Sequence, residues 1–392
     1  MLDLLCLAAS LGQADTVTLL LLSGESPDQI NSEGRAPLAY AAMRGDIIIA
    51  ELLLAENANI NVQDKDGQTP LHLAAIHNKS PILQLLLSAH ADKNIKNKTG
   101  DTPLIVAIKN GHRDVAALLH PPISIVRVAV PTIKVSCDNL LGQGSYGIVV
   151  KSDLDGVSVA IKASKPSCKH SILNEISTMS KFTSPYIMPL LSIMNETSDQ
   201  PQMALPYMDQ GNVRQYLDRR RSQKELTSSF STMEIAWVVA NGLLDLHQQN
   251  IIHRDVKCEN IFLCSNNYIK LGDLGIAREY DVETMTQAVG TLSWIAPEVF
   301  DSGHYNVSAD IYSFGVVLTE LETLQLPYWD CPLKGFGLID AIRAGKARPS
   351  LSSNTEPWLC DLTTKCLDSN PENRPTAKNI VAILHEKLNQ LK

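Results

Sequence analysis

The chain has 392 residues, of which 44% are hydrophobic and 19% charged, a composition typical of a globular protein with two or three domains. The net charge of −8 argues against nucleic acid as a partner, because nucleic-acid-binding proteins normally carry a basic face or tail. No apolar stretch approaches the roughly 20 residues of a transmembrane helix, and the eight cysteines lack the paired spacings of a disulfide framework. We therefore expect a cytoplasmic protein with no membrane span.

A 33-residue period fills the first third of the chain. Its copies begin at Gly34, Gly67 and Gly100, and each opens the same phrase, which is fullest as Gly-Gln-Thr-Pro-Leu-His. In that copy Thr69 suits a helix N-cap, because its hydroxyl can accept from a free backbone N–H, and Pro70 suits the first helical position. We expect a second apolar helix to follow the first one in every copy.

This pattern resembles the ankyrin repeat, a 33-residue helix–loop–helix unit. A helix pair over about residues 3–22 precedes the three copies, as an N-terminal capping repeat would. Asn57 and His90 stand where the family usually has a left-handed glycine. We predict an all-α ankyrin-repeat solenoid of about four repeats over residues 1–120. The resemblance implies a concave surface that binds a protein partner, and the alternative is a stack whose repeats only support one another.

Residues 121–137 form an apolar linker that does not have the composition of a flexible tether. Apolar residues alternate here as in a short strand: Ile123, Ile125, Val126, Val128 and Val130. We expect the segment to cover the open end of the last repeat and to dock against the next domain. Binding of a partner to the repeats would then affect that domain. The alternative is a segment that serves only as an ordered spacer.

A glycine-rich loop marks the start of the next domain, which we assign to residues 138–392. The loop is a GxGxxGxV sequence, whose glycines allow backbone N–H groups to close on phosphate oxygens. The loop residues predicted to bind the nucleotide are Leu141, Gly142, Gly144, Ser145, Gly147 and Val149. Fifteen residues after the last glycine, Lys162 ends a Val-Ala-Ile-Lys strand and can reach phosphate as a compact charge. Alone, each of these motifs is weak.

A lysine in that position needs an acidic partner to orient it. Between residues 163 and 195 the one acid is Glu175, and its apolar neighbours recur at the spacing of one helix face. We therefore predict an ion pair between Lys162 and Glu175.

The most specific motif is His-Arg-Asp-Val-Lys-Cys-Glu-Asn, which contains Asp255, Lys257 and Asn260. An Asp-Leu-Gly sequence that starts at Asp273 follows it after a short strand-like run, and an Ala-Pro-Glu sequence comes later. Carboxylate and amide oxygens are the ligands that Mg²⁺ prefers, so Asn260 and Asp273 are predicted metal ligands. In order and spacing these motifs match the protein-kinase signature set.

Residues 138–392 thus resemble a eukaryotic protein kinase with a two-lobed α+β fold, nearest the tyrosine-kinase-like group of serine/threonine kinases. The resemblance implies ATP and Mg²⁺ as cofactors, protein substrates, and an Asp255 that accepts or orients the substrate hydroxyl proton. It implies that Lys257 marks serine/threonine specificity. It also assigns nucleotide contacts to Ala160 and to Leu205, the gatekeeper before the hinge. The sequence leaves the oligomeric state open.

Supporting contacts also follow from the resemblance. Glu298 would pair with Arg374, and Asp310 would brace the catalytic loop. Leu274 replaces the usual Phe after the metal-binding aspartate, and it is apolar enough to fill the same pocket.

Activation by phosphorylation is a further hypothesis, centred on Arg254. Such an arginine commonly receives an activation-loop phosphate, because its planar fork binds phosphate bidentately. The candidate threonines are Thr284, Thr286 and Thr291. We favour the first two, because the third is expected to line the substrate site.

An alternative function is an ankyrin scaffold with an inactive kinase domain. Inactive kinases usually lose the lysine, the catalytic aspartate or the metal-binding aspartate, and all of these are present here. The sequence therefore favours an active enzyme. A third possibility, an ATPase with no protein substrate, explains Lys257 and Thr291 poorly.

Overall fold

The computed structural model describes residues 4–120, 125–128, 139–143, 147–154, 156–181, 183–224, 229–265, 268–275, 278–279, 292–302 and 305–390. The chain divides into two compact units, Met1–Pro121 and Pro122–Lys392. Within the described ranges, no helix combines the length and the apolarity that crossing a membrane requires.

The described part of the first unit is built of helix pairs. Its helices are α1 Leu4–Leu11, α2 Ala14–Leu22, α3 Pro37–Arg44, α4 Ile47–Ala55, α5 Pro70–Ile76, α6 Ser80–Ser88, α7 Pro103–Lys109 and α8 Arg113–Leu119. The first helices of successive pairs pack on one another, and so do the second helices. This stacking confirms the predicted all-α repeat solenoid. Asn57 (φ 60°) and His90 (φ 65°) adopt the predicted left-handed conformation.

The Thr-Pro-Leu-His phrase joins neighbouring repeats as well as starting a helix. The Thr69 hydroxyl accepts from the backbone N–H of His72, and Nδ1 of His72 accepts from the backbone N–H of Thr69 at 3.2 Å. Nε2 of His72 therefore carries the proton and donates to the Asp101 carbonyl of the next repeat at 3.0 Å. Burial lowers the pKa of His72, which keeps this tautomer neutral.

Gly67 and Gly100 provide a matched test of the repeat loops. Both have positive φ, 74° and 83°, but a Cβ at Gly67 would lie 2.9 Å from the backbone N of Lys98, whereas a Cβ at Gly100 would meet nothing within 4 Å. The Lys98 N–H donates to the Asp66 carbonyl at 2.9 Å. We expect Gly67→Ala to lower the free energy of unfolding by about 1–3 kcal/mol more than Gly100→Ala does.

Urea unfolding of the two full-length variants measures this difference. Amide hydrogen exchange at Lys98 gives the local measurement, since only Gly67→Ala should accelerate it. Equal losses of stability in the two variants would show that backbone conformation alone sets the cost.

The second unit begins with a sheet-containing lobe. The strands of the sheet are β1 Val126–Val128, β2 Leu140–Gln143, β3 Gly147–Leu154, β4 Val157–Ser164, β5 Ser192–Met194 and β6 Gln202–Pro206. Their order is β1-β5-β6-β4-β3-β2, with β1 parallel to β5 and the other pairs antiparallel. Helix α9 Lys169–Met179 packs against β4. The strand predicted from the alternation within residues 121–137 is therefore present as β1, and it belongs to this sheet.

The rest of the second unit is mostly helical. Its helices are α10 Val213–Arg221, α11 Thr232–Gln248, α12 Pro297–Ser302, α13 Val307–Thr323, α14 Gly335–Arg343, α15 Pro357–Cys366 and α16 Ala377–Gln390. Short strands complete it: β7 Ile251–Ile252, β8 Ile261–Cys264, β9 Tyr268–Leu271 and β10 Arg278–Glu279. Helix α13 is buried along most of its length and packs on α11 and α15. A β-sheet lobe followed by a helical lobe confirms the predicted two-lobed α+β fold.

A buried ion pair ties two segments of the helical lobe together. The guanidinium of Arg374 donates to Oε1 and Oε2 of Glu298, each at 2.7 Å, and its side chain is fully buried. This confirms the predicted pairing of Glu298 with Arg374. The bidentate geometry holds the start of α12 to the loop before α16.

Candidate active site

The predicted site residues come together in one cleft of about 850 Å³ in the second unit. From the sheet lobe it is lined by Leu141, Gly142, Gly147, Val149, Ala160, Lys162, Glu175 and Leu205, and from the following segments by Asp255, Lys257 and Asp273. Gly144 and Ser145 lie outside the described residues. Asn260 joins the set through its bond to Asp255.

Lys162 lies at the centre of a three-residue charge cluster. Its Nζ lies 2.9 Å from Oε1 and 2.8 Å from Oε2 of Glu175, and 2.8 Å from Oδ1 of Asp273. Strand β4 fixes the lysine from the sheet, and helix α9 supplies the glutamate from one turn before its end. The ion pair predicted from the sequence is present, and it is connected to the Asp-Leu-Gly segment as well.

Burial and charge act against each other in this cluster. Burial raises the pKa of Glu175 to about 7, although Lys162 acts in the opposite direction. Burial also acts to raise the pKa of Asp273, but the Lys162 ammonium outweighs it, so that this pKa is lowered. Burial acts to lower the pKa of Lys162, and the two carboxylates raise it overall. Two carboxylates share one ammonium, so the cleft favours an additional cation.

The catalytic-loop motif places Asp255 between two donors. Its Oδ2 accepts from Nζ of Lys257 at 2.7 Å and from Nδ2 of Asn260 at 2.9 Å. Nδ2 of Asn260 also donates to the Asp255 carbonyl at 2.8 Å. Because the side-chain amide nitrogen of Asn260 is held in this way, the side-chain oxygen Oδ1 is the atom that could bind a metal.

Asn260 and Asp273 suit Mg²⁺ as a pair of oxygen donors. The N–H of Gly272 donates to the backbone carbonyl of Asn260 at 2.8 Å, which keeps the neighbouring Asp273 close to the loop. Over the described residues no cluster of three or more His, Cys, Asp or Glu side chains could hold a metal ion. Two protein oxygens are few, and Mg²⁺ is commonly bound by one or two carboxylates together with substrate phosphates.

Asp310 holds the catalytic loop from α13. Its Oδ2 accepts from the backbone N–H of His253 and its Oδ1 from that of Arg254, both at 2.9 Å. Nε2 of His247 lies 2.9 Å from the same carboxylate, so α11 is joined to this group too. Asp310 is buried, and the predicted brace is confirmed.

Two residues of this site have a strained backbone. Arg254 has φ 69° and Asp273 has φ 61°, a left-handed conformation that is costly for residues with a Cβ. Such strain persists only where surrounding contacts impose it, and for Arg254 the contact is the Asp310 carboxylate.

The regulatory residues are described only in part. The guanidinium of Arg254 lies 4.6 Å from the ring centroid of Tyr305. Leu274 is 1% exposed, as expected of a residue that fills an apolar pocket in place of Phe. The candidate phosphorylation sites Thr284, Thr286 and Thr291 lie outside the described residues.

Sequence reasoning missed Ser171, which also lines the cleft. Its hydroxyl donates to the Gly275 carbonyl at 3.5 Å, so it links α9 to the residue after Asp-Leu. Ser171 precedes Glu175 by four residues, and helical spacing alone would have placed both on the same face. Gln215 and Arg219 of α10 line the cleft as well, and no motif pointed to them.

Comparison with known proteins gives a family for each unit. The family described as protein tyrosine and serine/threonine kinase matches residues 135–384, and the ankyrin-repeat family (three copies) matches residues 5–97 and 49–127. These matches confirm the resemblance that the motifs indicated, ankyrin repeats followed by a kinase domain of tyrosine-kinase-like type.

Individual relatives match about two thirds of this chain. The serine/threonine-protein kinase STY46 of Arabidopsis thaliana is 31% identical over 63% of this chain and 43% of its own length. The dual specificity protein kinase shkD of Dictyostelium discoideum is 32% identical over 64% of this chain and 34% of its own. A probable serine/threonine-protein kinase of the same organism is 29% identical over 67% of this chain and 20% of its own length. The chain therefore spans less than half the length of these relatives.

Proposed function

This chain belongs to the protein tyrosine and serine/threonine kinase family, and we propose that it transfers the γ-phosphoryl group of ATP to serine and threonine hydroxyls of proteins. The observation that carries the proposal is the pair of hydrogen-bonded groups in one cleft. In one group Lys162 bonds both Glu175 and Asp273, and in the other Lys257 and Asn260 hold Asp255.

Each side chain has a defined task in this reaction. Lys162 and the glycine loop would hold the ATP phosphates, while Glu175 keeps the ammonium in place. Asn260 and Asp273 would hold Mg²⁺, which supplies neutralising charge on the phosphates when bound. Asp255 accepts the proton of the substrate hydroxyl while the hydroxyl oxygen forms a bond to the γ-phosphorus. The bond from that phosphorus to the β–γ bridging oxygen breaks, and ADP leaves.

We propose specificity for serine and threonine because Lys257 marks that specificity in the kinases that this sequence resembles. Its ammonium lies beside the Asp255 carboxylate, where it can stabilise charge that develops on the transferred phosphoryl group. One relative is named a dual specificity kinase and another a serine/threonine/tyrosine-protein kinase, so dual specificity is the second candidate.

Phosphoamino-acid analysis tests this specificity. The full chain is incubated with radiolabelled ATP, Mg²⁺ and either casein or myelin basic protein. We expect label on serine and threonine, whereas additional label on tyrosine would establish dual specificity. No label from folded protein, after a plausible activating phosphorylation, would favour the scaffold with an inactive kinase domain.

For the ankyrin unit we propose a protein partner, because helices α3, α5 and α7 stack on one another and the turn before each of them carries exposed residues. Cross-linking of the full chain in a cell extract tests this. Linked peptides within α3 to α7 would support the proposal, and links confined to the second unit would contradict it.

We also propose a cytoplasmic location, which the scattered cysteines support and cell fractionation can test.

A further inference from the structure

Strand β1 lies before residue 135, where the kinase-family match begins, and yet it is part of the kinase sheet. Its register pairs Val126 with Ser192 and Val128 with Met194. The Val126 N–H donates to the Leu191 carbonyl at 3.4 Å, and the Ser192 hydroxyl donates to the Val126 carbonyl at 2.8 Å. These bonds fix the position of the residue that immediately precedes the strand, Ile125.

Ile125 lies against the elements that position the catalytic charges. It lines a cavity of about 50 Å³ together with Met179 at the end of α9, Leu190 before β5, and Leu274. Met179 follows Glu175 by four residues on the same helix, and Leu274 is the residue after Asp273. One apolar side chain from outside the kinase-family match thus lines the same cavity as both segments that supply the partners of Lys162.

We propose that Ile125 is a positioning residue of the kinase site, which acts through α9 and Leu274 on the Lys162–Glu175–Asp273 cluster. The inference rests on the proposed phosphoryl transfer and adds a regulatory element to the same site. A space of about 50 Å³ already exists beside Ile125, and removing three carbons of its side chain would enlarge that space. Helix α9 and Leu274 would then shift into it.

The charge cluster is sensitive to such a shift. Both carboxylate oxygens of Glu175 lie within 2.9 Å of one ammonium, and the side chain is 2% exposed, so water cannot replace a lost contact. Misplacement of a catalytic group by about 1 Å can cost up to a hundredfold in rate. A small displacement of α9 is therefore sufficient to reduce activity.

The exposed contacts of β1 have less weight. Nε of Arg127 lies 3.1 Å from Oε2 of Glu196, but both side chains are largely exposed, and such pairs contribute little. The Val126 side chain is 55% exposed. Val126 is therefore a matched control for Ile125, because it is the adjacent β-branched residue and faces solvent.

The test compares Ile125→Ala, Ile125→Val and Val126→Ala in the full chain. We expect Ile125→Ala to lower kcat about tenfold, with Ile125→Val and Val126→Ala within about twofold of wild type. The double variant Ile125→Ala/Glu175→Gln distinguishes positioning from a merely structural role. If Ile125 acts through Glu175, adding Ile125→Ala to Glu175→Gln causes no further loss of kcat. Full additivity of the two losses, or an unchanged kcat in Ile125→Ala, would overturn the proposal.

Hydrogen exchange keeps the test independent of the proposed function. Ile125→Ala should accelerate amide exchange in residues 172–179 of α9, and Val126→Ala should not. If wild type transfers no phosphate but this difference is observed, the proposed function fails while the positioning role stands. If exchange in α9 is equal in both variants, the positioning role fails whatever the activity.

Discussion

Asp255→Asn is expected to lower kcat for phosphoryl transfer by a factor of about 10²–10⁴, the usual contribution of a positioned general base. Asparagine retains an oxygen that can accept from Lys257 and Asn260, so the loop should keep its conformation. It lacks the carboxylate that takes the substrate proton. The KM for ATP should change little, because Asp255 acts on the hydroxyl substrate.

Steady-state kinetics with casein as substrate measures this effect. Asp361→Asn is the control, since it makes the same chemical change in an exposed side chain that contacts only Lys365 among the described ion pairs. Melting temperatures of both variants should match that of wild type. If Asp255→Asn kept more than a tenth of the activity, another group would have to be the base.

The second large effect is expected from Lys162→Met, which removes the one ammonium shared by two carboxylates. Removing one partner of a buried pair costs about 3–5 kcal/mol of stability, because Glu175 is left charged or must take up a proton. Activity should fall at least a hundredfold in kcat/KM for ATP, since Lys162 holds both the phosphates and the geometry of Asp273.

The double variant Lys162→Met/Glu175→Gln separates the two roles. It removes the ammonium and the buried Glu175 carboxylate and leaves Asp273, whose side chain is 42% exposed. Most of the lost stability should therefore return, whereas activity should remain as low as in Lys162→Met. Urea unfolding and kinetics on the same preparations provide the two measurements. A double variant as unstable as Lys162→Met would show that the cluster does not carry a buried uncompensated charge.

The catalytic cluster was largely predictable from the sequence because each of its residues is part of a local motif. Asp255, Lys257 and Asn260 fall within six residues, so their mutual bonds depend on the conformation of one loop. Glu175 was predictable by elimination, since it is the one acidic residue between residues 163 and 195. The proton-accepting and charge-pairing geometry thus follows from short-range spacing.

Contacts between distant segments were not predictable in the same way. The alternation near Val126 indicated a strand, but its parallel pairing with Ser192 joins residues 66 positions apart, and periodicity contains no information on the partner. The position of Ile125 in the same cavity as Leu274 depends in turn on that pairing. The approach of His247 to Asp310 likewise arises from the packing of α11 on α13.

The position of β1 also bears on how the kinase unit behaves when separated from the residues that precede it. A fragment that began at residue 135, where the family match begins, would lack the strand and leave the outer side of β5 without its partner. Unpaired backbone groups along a strand edge invite pairing with another chain. In the intact protein β1 pairs with β5 along that side, so the residues before 135 supply those backbone partners from within the same chain.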